Sequence, residues 1–409
     1  MGKTIFNLPY IYDYSLHLIV KFVQMLLKRE MNIIVDENIV YAKEVFAEFG
    51  DVQLVDGRMI TNQHLNNIDV LIVRSITNVN SNLLNGTKVK FVGTATIGSD
   101  HIGLNYLKKN NIAFADAKGC NADSVAEYVF TAMFKIAVDE KTELNKKSIG
   151  VVGIGNIGSR VVRIAEAFGM EVFRNDPPLE RKGIGKNYVS LDEILQADII
   201  TLHVPLNKGG DDKTVHLLNE QNLGQIRGKT IIINTSRGAV IDNNSLSKMI
   251  RNKKLPAVLD VWENEPKVNV DLLNITKIGS AHIAGYSLEG KVNGTRMIYE
   301  ALCNFTGKTP SWKPELQEVE NKEVFLDDSK NDELKIYNLL RTAYDIEEDD
   351  KEMRNMLKVK REEMGNYFDQ LRKGYPIRRE FSNYTIKLRK DERHLKKILE
   401  SLRFKVMEY

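Results

Sequence analysis

The sequence predicts an α/β protein with two doubly wound parallel-sheet lobes, Rossmann-like or flavodoxin-like, followed by a small α+β lobe. Short apolar runs alternate with helical stretches from residue 31 to about residue 284, which is the pattern of parallel strands joined by crossover helices. The apolar runs of the second half are rich in Ile and Val and nearly continuous, as in strands that helices cover on both faces. After residue 307 the chain becomes highly charged, which marks the third lobe.

The apolar runs predict the strands of two successive lobes. The predicted strands of the first lobe are residues 33–35, 70–73 and 91–93, and its helices are residues 42–49 and 104–110. A long helix at residues 123–137, capped by Asp123 or Ser124, leads to the second lobe. The predicted strands of the second lobe are residues 149–152, 171–173, 199–203, 231–234 and 257–261. Beyond a linker at residues 309–314 we expect helices at 332–343 and 350–373 and a strand at 384–388.

Composition excludes several classes of protein. A chain of 409 residues with a net charge of +3 gives no reason to expect a nucleic-acid or membrane partner, and its length predicts two or three domains. The two cysteines, Cys120 and Cys303, exclude a disulfide framework and suit a reducing cytoplasm. The sequence contains no Cys/His cluster with metal-ligand spacing, so no metal is expected.

The first thirty residues are interpreted as a non-essential N-terminal extension. Their apolar part, residues 16–27, is interrupted by His17, Lys21 and Gln24, so it is too short and too polar to span a membrane. It also lacks the cleavage site of a signal peptide. A helix that touches a membrane surface is the alternative interpretation.

A glycine motif predicts a dinucleotide site. It reads Gly153-Ile154-Gly155-Asn156-Ile157-Gly158 and stands between a predicted strand and a helix that runs to Phe168. Gly153 would form the tight turn, Gly155 would admit the pyrophosphate, and Gly158 would let the helix pack on the strand. The free N–H groups and the positive dipole at the start of the helix would bind the phosphates.

An acidic residue after the next strand predicts the cofactor. Asp176 lies 18 residues beyond Gly158, where a carboxylate accepts hydrogen bonds from the adenosine ribose and repels a 2′-phosphate, so NAD is favoured over NADP. Arg174 favours NADP instead, because an arginine at this position could accommodate the 2′-phosphate. A surface aspartate that caps the turn before Pro177 is the structural alternative for Asp176.

Three candidate catalytic residues follow successive strands of the second lobe. They are Arg237, Glu265 and His282, and ligands bind beyond the C-terminal ends of strands in such sheets. Oxidation of a secondary alcohol needs a base for the hydroxyl proton, which suits His282. Arg237 could bind a substrate carboxylate with its planar fork, and Glu265 could fix the tautomer of the imidazole. Each also has an ordinary structural explanation, as a loop histidine, a surface arginine and a turn glutamate.

These segments together resemble the D-isomer-specific 2-hydroxy-acid dehydrogenases. The resemblance covers about residues 31–308 and rests on residues 153–158, 234–240, 260–266 and 282–285. It implies that Arg237, Glu265 and His282 are the catalytic set, with the histidine as acid and base. It also implies a substrate-binding domain split between residues 31–117 and 285–310, an NAD-binding domain at 118–284 inserted between them, and a separate domain at 311–409.

A narrower resemblance points to one branch of this family. It rests on residues 93–101, 119–122 and 282–291, and on residues 344–345, 368–373 and 378–380 of the tail. It implies a cytoplasmic homodimer formed through a C-terminal dimerisation domain. It further implies a small phosphorylated 2-hydroxy acid as substrate and a place in pyridoxine 5′-phosphate biosynthesis.

The same resemblance implies further contacts. The residues expected to contact substrate are Ser75, Thr96 and Tyr286. Besides the glycine motif, the residues expected to contact NAD are Asp176, Val204, Thr235, Ser236, Arg237, Asp260 and Gly285. A phosphorylated substrate needs another cation, for which the candidates are Arg74, Lys373, Arg378 and Arg379. The last three could instead form a solvated face of the C-terminal lobe.

Two rival functions remain open. One is another enzyme of the family, such as a 3-phosphoglycerate dehydrogenase, although such enzymes lack this kind of tail. The other is an NAD-sensing transcriptional co-repressor of the same fold, which would bind NAD and partner peptides with little turnover.

Overall fold

The computed structural model describes residues 30–409, so the predicted N-terminal extension lies almost wholly outside the described residues. The described chain divides into two units. The first contains residues up to 95, 101–116 and 298–312, and the second contains residues 96–100, 117–297 and 313–409. Residues 313–409 thus group with the second unit, and the predicted three-domain division stays a prediction.

The first unit is built on a five-stranded parallel sheet with the strand order β2-β1-β3-β4-β5. Its strands are β1 (Met31–Asp36), β2 (Gly50–Val55), β3 (Val70–Val73), β4 (Phe91–Thr94) and β5 (Ala113–Asp116). Its helices are α1 (Ala42–Phe46), α2 (Ser81–Leu84) and α3 (Leu104–Lys109). Every residue of β3 and β4 is buried, which explains why apolar runs predicted these strands. The strand β2 lies at an edge of the sheet and exposes three of its six residues, and the sequence did not predict it.

The second unit contains a six-stranded parallel sheet with the order β11-β10-β9-β8-β6-β7. Its strands are β6 (Ser148–Val152), β7 (Glu171–Asn175), β8 (Ile199–Leu202), β9 (Ile231–Asn234), β10 (Ala257–Leu259) and β11 (Ile278–Gly279). The strand order reverses between β6 and β8, which makes their carboxyl ends a topological switch point where ligands bind in such sheets.

Eight α-helices of the described chain lie before, between or after these strands in the sequence. They are α4 (Ala122–Glu140), α5 (Asn156–Phe168), α6 (Pro177–Arg181), α7 (Leu191–Ile194), α8 (Glu220–Leu223), α9 (Asn243–Lys253), α10 (Val270–Ile275) and α11 (Leu288–Thr306). Fourteen of the nineteen residues of α4 are buried, so this helix is a central element of the core. From Ile298 onward, α11 belongs to the first unit. No helix among residues 30–409 is long and apolar enough to cross a membrane.

The C-terminal part of the second unit holds a small parallel sheet in the order β12-β13-β14. Its elements are β12 (Glu323–Phe325), α12 (Asp332–Ala343), α13 (Ile346–Arg354), α14 (Met364–Lys373), β13 (Thr385–Leu388), α15 (Lys396–Ser401) and β14 (Lys405–Glu408). The single helix predicted at 350–373 is wrong: α13 and α14 are separated by residues 355–363. The break lets Met353, Met356 and Phe368 enter one buried apolar cluster, so tertiary packing overrides helix continuity.

The sequence prediction of the fold class is confirmed. Each of the nine predicted strands coincides with a strand of the structure, whereas β2, β5, β11, β12 and β14 were not predicted. Of these, β2, β5, β12 and β14 contain partly or fully exposed residues and β11 has only two residues, so none of them gives a continuous apolar run of strand length.

Candidate active site

The glycine motif forms a turn that fits a dinucleotide. Gly153 has φ +88°, and a Cβ added there would lie 2.6 Å from the carbonyl oxygen of His203. A Cβ on Gly158 would lie 1.9 Å from the carbonyl oxygen of Gly153. A Cβ on Gly155, in contrast, meets no atom of residues 30–409 within 4 Å. The first and third glycines are therefore needed for the turn and the packing, and the second leaves room for a ligand.

The start of α5 supplies hydrogen-bond donors at this turn. Gly155 is the N-cap, and among the described residues no side chain caps the helix. The N–H groups of the first turn, including those of Asn156 and Ile157, have no partner within the helix itself. The positive end of the helix dipole lies at the same place. The predicted cofactor contacts of Asn156 and Ile157 thus correspond to a helix start that can bind phosphate.

Asp176 follows β7 and serves two local purposes. Its Oδ1 accepts a hydrogen bond from the N–H of Leu179 at 3.0 Å, so it caps α6, as the structural alternative proposed. Its Oδ2 accepts a hydrogen bond from the N–H of Ile154 at 2.8 Å, which places the carboxylate beside the glycine turn. Arg174 is bonded to Glu166, so its charge is already compensated. This arrangement suits a ribose more than a 2′-phosphate.

The opposite side of the switch point holds three of the expected NAD contacts. Val204 follows β8, and its Cγ1 lies 2.8 Å from the position of a Cβ on Gly153. Thr235 and Ser236 follow β9 and are both buried. The Oγ1 of Thr235 lies 3.4 Å from Nδ1 of His203. Burial lowers the pKa of His203 to about 3, so this imidazole is neutral and acts only through hydrogen bonds.

Asp260 holds the loop that carries His282. The buried carboxylate accepts hydrogen bonds from Ser280 Oγ at 2.7 Å, from the N–H of Ile283 at 2.7 Å and from the N–H of Ala284 at 3.0 Å. The carbonyl oxygen of Asp260 accepts a further bond from the N–H of His282 at 2.7 Å. Asp260 therefore fixes this loop through its internal bonds, a function beyond the NAD contact that was expected of it.

His282 and Glu265 form a hydrogen-bonded pair. Nδ1 of His282 lies 2.8 Å from Oε2 of Glu265, and Oε1 of Glu265 accepts a bond from the N–H of Trp262 at 2.8 Å. Burial acts to raise the pKa of Glu265, but His282, Arg372 and the Trp262 N–H outweigh it and lower that pKa below its ordinary value. A charged Glu265 keeps the proton of the neutral imidazole on Nδ1, so Nε2 is left with a lone pair that can accept a proton.

Arg237 lies at the start of the loop after β9. Its Nε donates to Oδ2 of Asp100 at 2.7 Å, and its Nη1 donates to the carbonyl oxygen of Ser236 at 2.7 Å. A Cβ on Gly98 would lie 1.7 Å from Nη2, so the guanidinium rests directly on the backbone of Gly98. The next residue, Gly238, approaches the backbone of Trp262 so closely that a Cβ there would lie 1.9 Å from its carbonyl carbon. The loops that carry Arg237 and Glu265 are thus packed together.

The expected substrate contacts fall in both units. Ser75 is exposed and follows β3 in the first unit, whereas Thr96 and Tyr286 belong to the second. Thr96 Oγ1 donates to the carbonyl oxygen of Gly98 at 3.1 Å, which places it in the segment on which Arg237 rests. A Cβ on Gly285, beside Tyr286, would lie 2.0 Å from Nδ2 of Asn121, so any larger residue would displace the Asn121 side chain.

Two charged residues of the site were not identified from the sequence. Asp100 lies within the segment 93–101 that carried the narrower resemblance, but nothing local to it indicates that it binds Arg237, 137 residues away. Arg372 lies in the C-terminal segment 368–373, which was noted without a role, and it interacts electrostatically with Glu265 and Tyr286. Within residues 30–409, no cluster of three or more His, Cys, Asp or Glu side chains could hold a metal ion.

Comparison with known proteins supports this description. A model of the D-isomer specific 2-hydroxyacid dehydrogenase NAD-binding domain matches residues 121–284, and a domain of unknown function matches residues 316–402. The D-lactate dehydrogenase of Aquifex aeolicus, solved as a complex with NAD and lactic acid, is similar with a TM-score of 0.56 and 25% identity, over 68% of this chain and 95% of that chain. The fold and the NAD cofactor predicted from the sequence are confirmed.

Two curated relatives match nearly the whole chain. The erythronate-4-phosphate dehydrogenase of Proteus mirabilis is 44% identical over 361 residues, which are 87% of this chain and 94% of the relative. That of Pseudomonas fluorescens is 42% identical over 376 residues, or 91% of this chain and 99% of the relative. The chain therefore belongs to the erythronate-4-phosphate dehydrogenase family, a branch of the NAD-dependent D-isomer-specific 2-hydroxyacid dehydrogenases.

Proposed function

We propose that this enzyme oxidises 4-phospho-D-erythronate to (R)-3-hydroxy-2-oxo-4-phosphobutanoate with NAD, as a step in pyridoxine 5′-phosphate biosynthesis. The observation that carries the proposal is the 2.8 Å pair of His282 and Glu265, held on the loop that Asp260 fixes. The names of the relatives support the substrate. A base held by a carboxylate suits an alcohol oxidation better than simple binding of a ligand.

Each catalytic residue has one role in this proposal. His282 Nε2 accepts the proton of the C2 hydroxyl as the carbonyl forms, and the nearby charge of Glu265 stabilises the resulting imidazolium. Arg237 binds the C1 carboxylate and withdraws charge from the reacting carbon. The hydride that leaves C2 needs an acceptor, which NAD would supply when bound. The cofactor would be held by the turn at Gly155, the start of α5 and the carboxylate of Asp176.

The enzyme is proposed to act as a cytoplasmic homodimer. Phe325, Met407 and Tyr409 are 61%, 50% and 60% exposed, and the register places Phe325 and Met407 in one row with Lys387 across the C-terminal sheet. Exposed large apolar side chains in one row are typical of a surface that binds a partner. A second copy of this sheet would cover that row.

The test is NADH formation by the purified protein. The substrates are 4-phospho-D-erythronate, 3-phosphoglycerate and unphosphorylated D-erythronate, with a 2-oxo acid added to discharge any bound NADH. We expect a strong preference for 4-phospho-D-erythronate that His282→Ala abolishes. His216→Ala is the matched control, because His216 forms a similar 2.6 Å pair with Glu263 but has no role in the proposal.

Other outcomes would favour the rivals. Preference for 3-phosphoglycerate would identify another enzyme of the family. Tight NAD binding without turnover of any of the three substrates would favour the co-repressor and would overturn the roles given to His282, Glu265 and Arg237.

A further inference from the structure

The proposed substrate needs a second cationic site. Its carboxylate and its phosphate lie at opposite ends of a four-carbon chain, so one arginine cannot bind both. Arg237 is assigned to the carboxylate beside the reacting carbon. A cation for the phosphate should therefore lie elsewhere around His282, and this inference rests on the proposed function.

Most candidates for this cation already have structural partners. Arg74 donates to the buried Asp36 at 3.0 Å. Arg378 is buried and donates to the carbonyl oxygens of Ala284 and Ser124 at 3.1 and 2.6 Å. Arg379 is paired with Glu289 at 2.6 Å, and both side chains are nearly buried. These three arginines hold the fold, so the predicted role in phosphate binding does not suit them.

Arg372, at the end of α14, differs from them in what its side chain bonds to. Its Nε is buried and has no hydrogen-bond partner among residues 30–409, which is also true of the Nε of Arg378. The other nitrogens of Arg378 are held by backbone carbonyl oxygens, whereas the side chain of Arg372 bonds to Tyr286. A buried donor without a partner is rare and costly, and it is typical of a site that is completed by a ligand. The guanidinium carbon lies 5.6 Å from the ring centroid of Tyr286, which is four residues beyond His282. Arg372 is therefore close to the catalytic loop.

A second cation flanks the same ring. Nζ of Lys291, in the first turn of α11, lies 4.7 Å from the Tyr286 centroid and 6.0 Å from the Tyr375 centroid. The aromatic face of Tyr286 favours both cations. Two positive side chains beside the Tyr286 ring supply the donors that a phosphate prefers, and the guanidinium of Arg372 provides the planar fork.

We propose that Arg372, Lys291 and the hydroxyl of Tyr286 form the binding site for the phosphate group of the substrate. The C-terminal lobe thus supplies a substrate-binding residue in addition to its proposed dimer contacts. Selectivity for a phosphorylated acid over its unphosphorylated counterpart comes from Arg372.

The first experiment titrates the NAD-saturated enzyme with inorganic phosphate by calorimetry at low ionic strength. We expect Arg372→Met to weaken phosphate binding at least tenfold, and Arg372→Lys to recover part of it because the charge is kept and the fork is lost. Arg361→Met is the matched control, since Arg361 is an exposed arginine just before α14. Equal phosphate binding by the wild type and Arg372→Met would overturn the proposal, whatever the enzyme oxidises.

The second experiment measures kinetics. Loss of a charge-assisted hydrogen bond should lower kcat/KM for 4-phospho-D-erythronate about 10- to 150-fold in Arg372→Met, mainly through KM because the phosphate does not react. The value for D-erythronate should change less than about threefold. If Arg372 only supported Glu265, both substrates would lose activity equally and the proposal would be wrong.

The two experiments separate this inference from the proposed function. A wild type that prefers 4-phospho-D-erythronate, with the preference kept in Arg372→Met, would refute the phosphate site alone. A wild type without that preference would refute the proposed function, and the phosphate titration would still decide the role of Arg372.

Discussion

Replacing Gly98 by alanine should damage catalysis while sparing the fold. The added Cβ would lie 1.7 Å from Nη2 of Arg237, whereas ordinary van der Waals contact begins at 3.4 Å. The guanidinium would have to retreat by about 1.7 Å, which breaks its 2.7 Å bond to Asp100. The atoms that must move are the end of a flexible side chain, so the cost in folding free energy should be small, about 0.5 kcal/mol or less.

The expected effect on the reaction is much larger. A misplacement of about 1 Å in a catalytic site can reduce the rate about 100-fold, which is about 2.7 kcal/mol of transition-state stabilisation at 1.36 kcal/mol for each factor of ten. We therefore expect Gly98→Ala to lower kcat/KM for 4-phospho-D-erythronate about 100-fold. Steady-state NADH formation measures this, and thermal unfolding should show a Tm within about 2 °C of the wild type.

The control is Gly209→Ala, because a Cβ on Gly209 meets no atom of residues 30–409 within 4 Å. Wild-type kinetics in Gly98→Ala would show that the position of the Arg237 guanidinium does not limit the reaction. A large fall in Tm would show that the alanine disturbs the backbone instead, and either result would refute the reasoning.

Three further predictions concern the Glu265–His282 pair, the binding of NAD and the proposed homodimer. Because the folded-state pKa of Glu265 is lowered from 4.5, its ionised form stabilises the fold above that value and loses this effect as the pH falls through the lowered pKa. The free energies of unfolding of wild type and Glu265→Gln, measured in urea, should therefore differ more at about pH 7 than at about pH 3. The same difference at both pH values would contradict this. Gly155→Ala should keep the Tm of the wild type but raise the Kd for NAD at least tenfold in a fluorescence titration, because the added methyl enters the space left for the pyrophosphate. An unchanged Kd would mean that the cofactor binds elsewhere. Met407→Glu should convert the dimer to monomers in sedimentation velocity, and a persisting dimer would place the interface on another surface.

The nucleotide turn could be predicted because its physics is local. Gly153 and Gly158 are needed for contacts with residues close in the sequence or on the adjacent strand, and the spacing of the motif carries that information. Asp176 shows the limit of such reasoning. Both the functional and the capping interpretation fitted the sequence, and in the structure the same carboxylate caps α6 and bonds to the glycine turn.

The catalytic set could be predicted because parallel strands bring their carboxyl ends to one edge of the sheet. Arg237, Glu265 and His282 follow β9, β10 and β11. The 2.8 Å bond between Glu265 and His282 follows from this topology. The catalytic roles of the three side chains stay predictions. The substrate contact expected of Ser75 also stays a prediction, because Ser75 belongs to the first unit and the catalytic residues belong to the second.

Contacts between distant segments could not be predicted. Asp100 lies in a segment that carried the resemblance, but nothing in that segment identifies Arg237 as its partner. Arg372 contacts the catalytic loop from a helix some 90 residues further along the chain. The break between α13 and α14 had the same origin, because it depends on which residues share a buried cluster. Such pairings depend on tertiary packing, about which a single sequence contains little information.

The attachment of the C-terminal lobe has a consequence for how this enzyme could have diverged. Arg378 donates to the carbonyl of Ala284 on the catalytic loop, the N–H of Leu288 donates to the carbonyl of Arg378, and Glu380 accepts a bond from Ser287. Deletion of the lobe would remove these bonds from the catalytic loop, although Asp260 would still hold its first part. Residues 287 and 288 carry two of these bonds, so we expect these positions to vary together with the lobe.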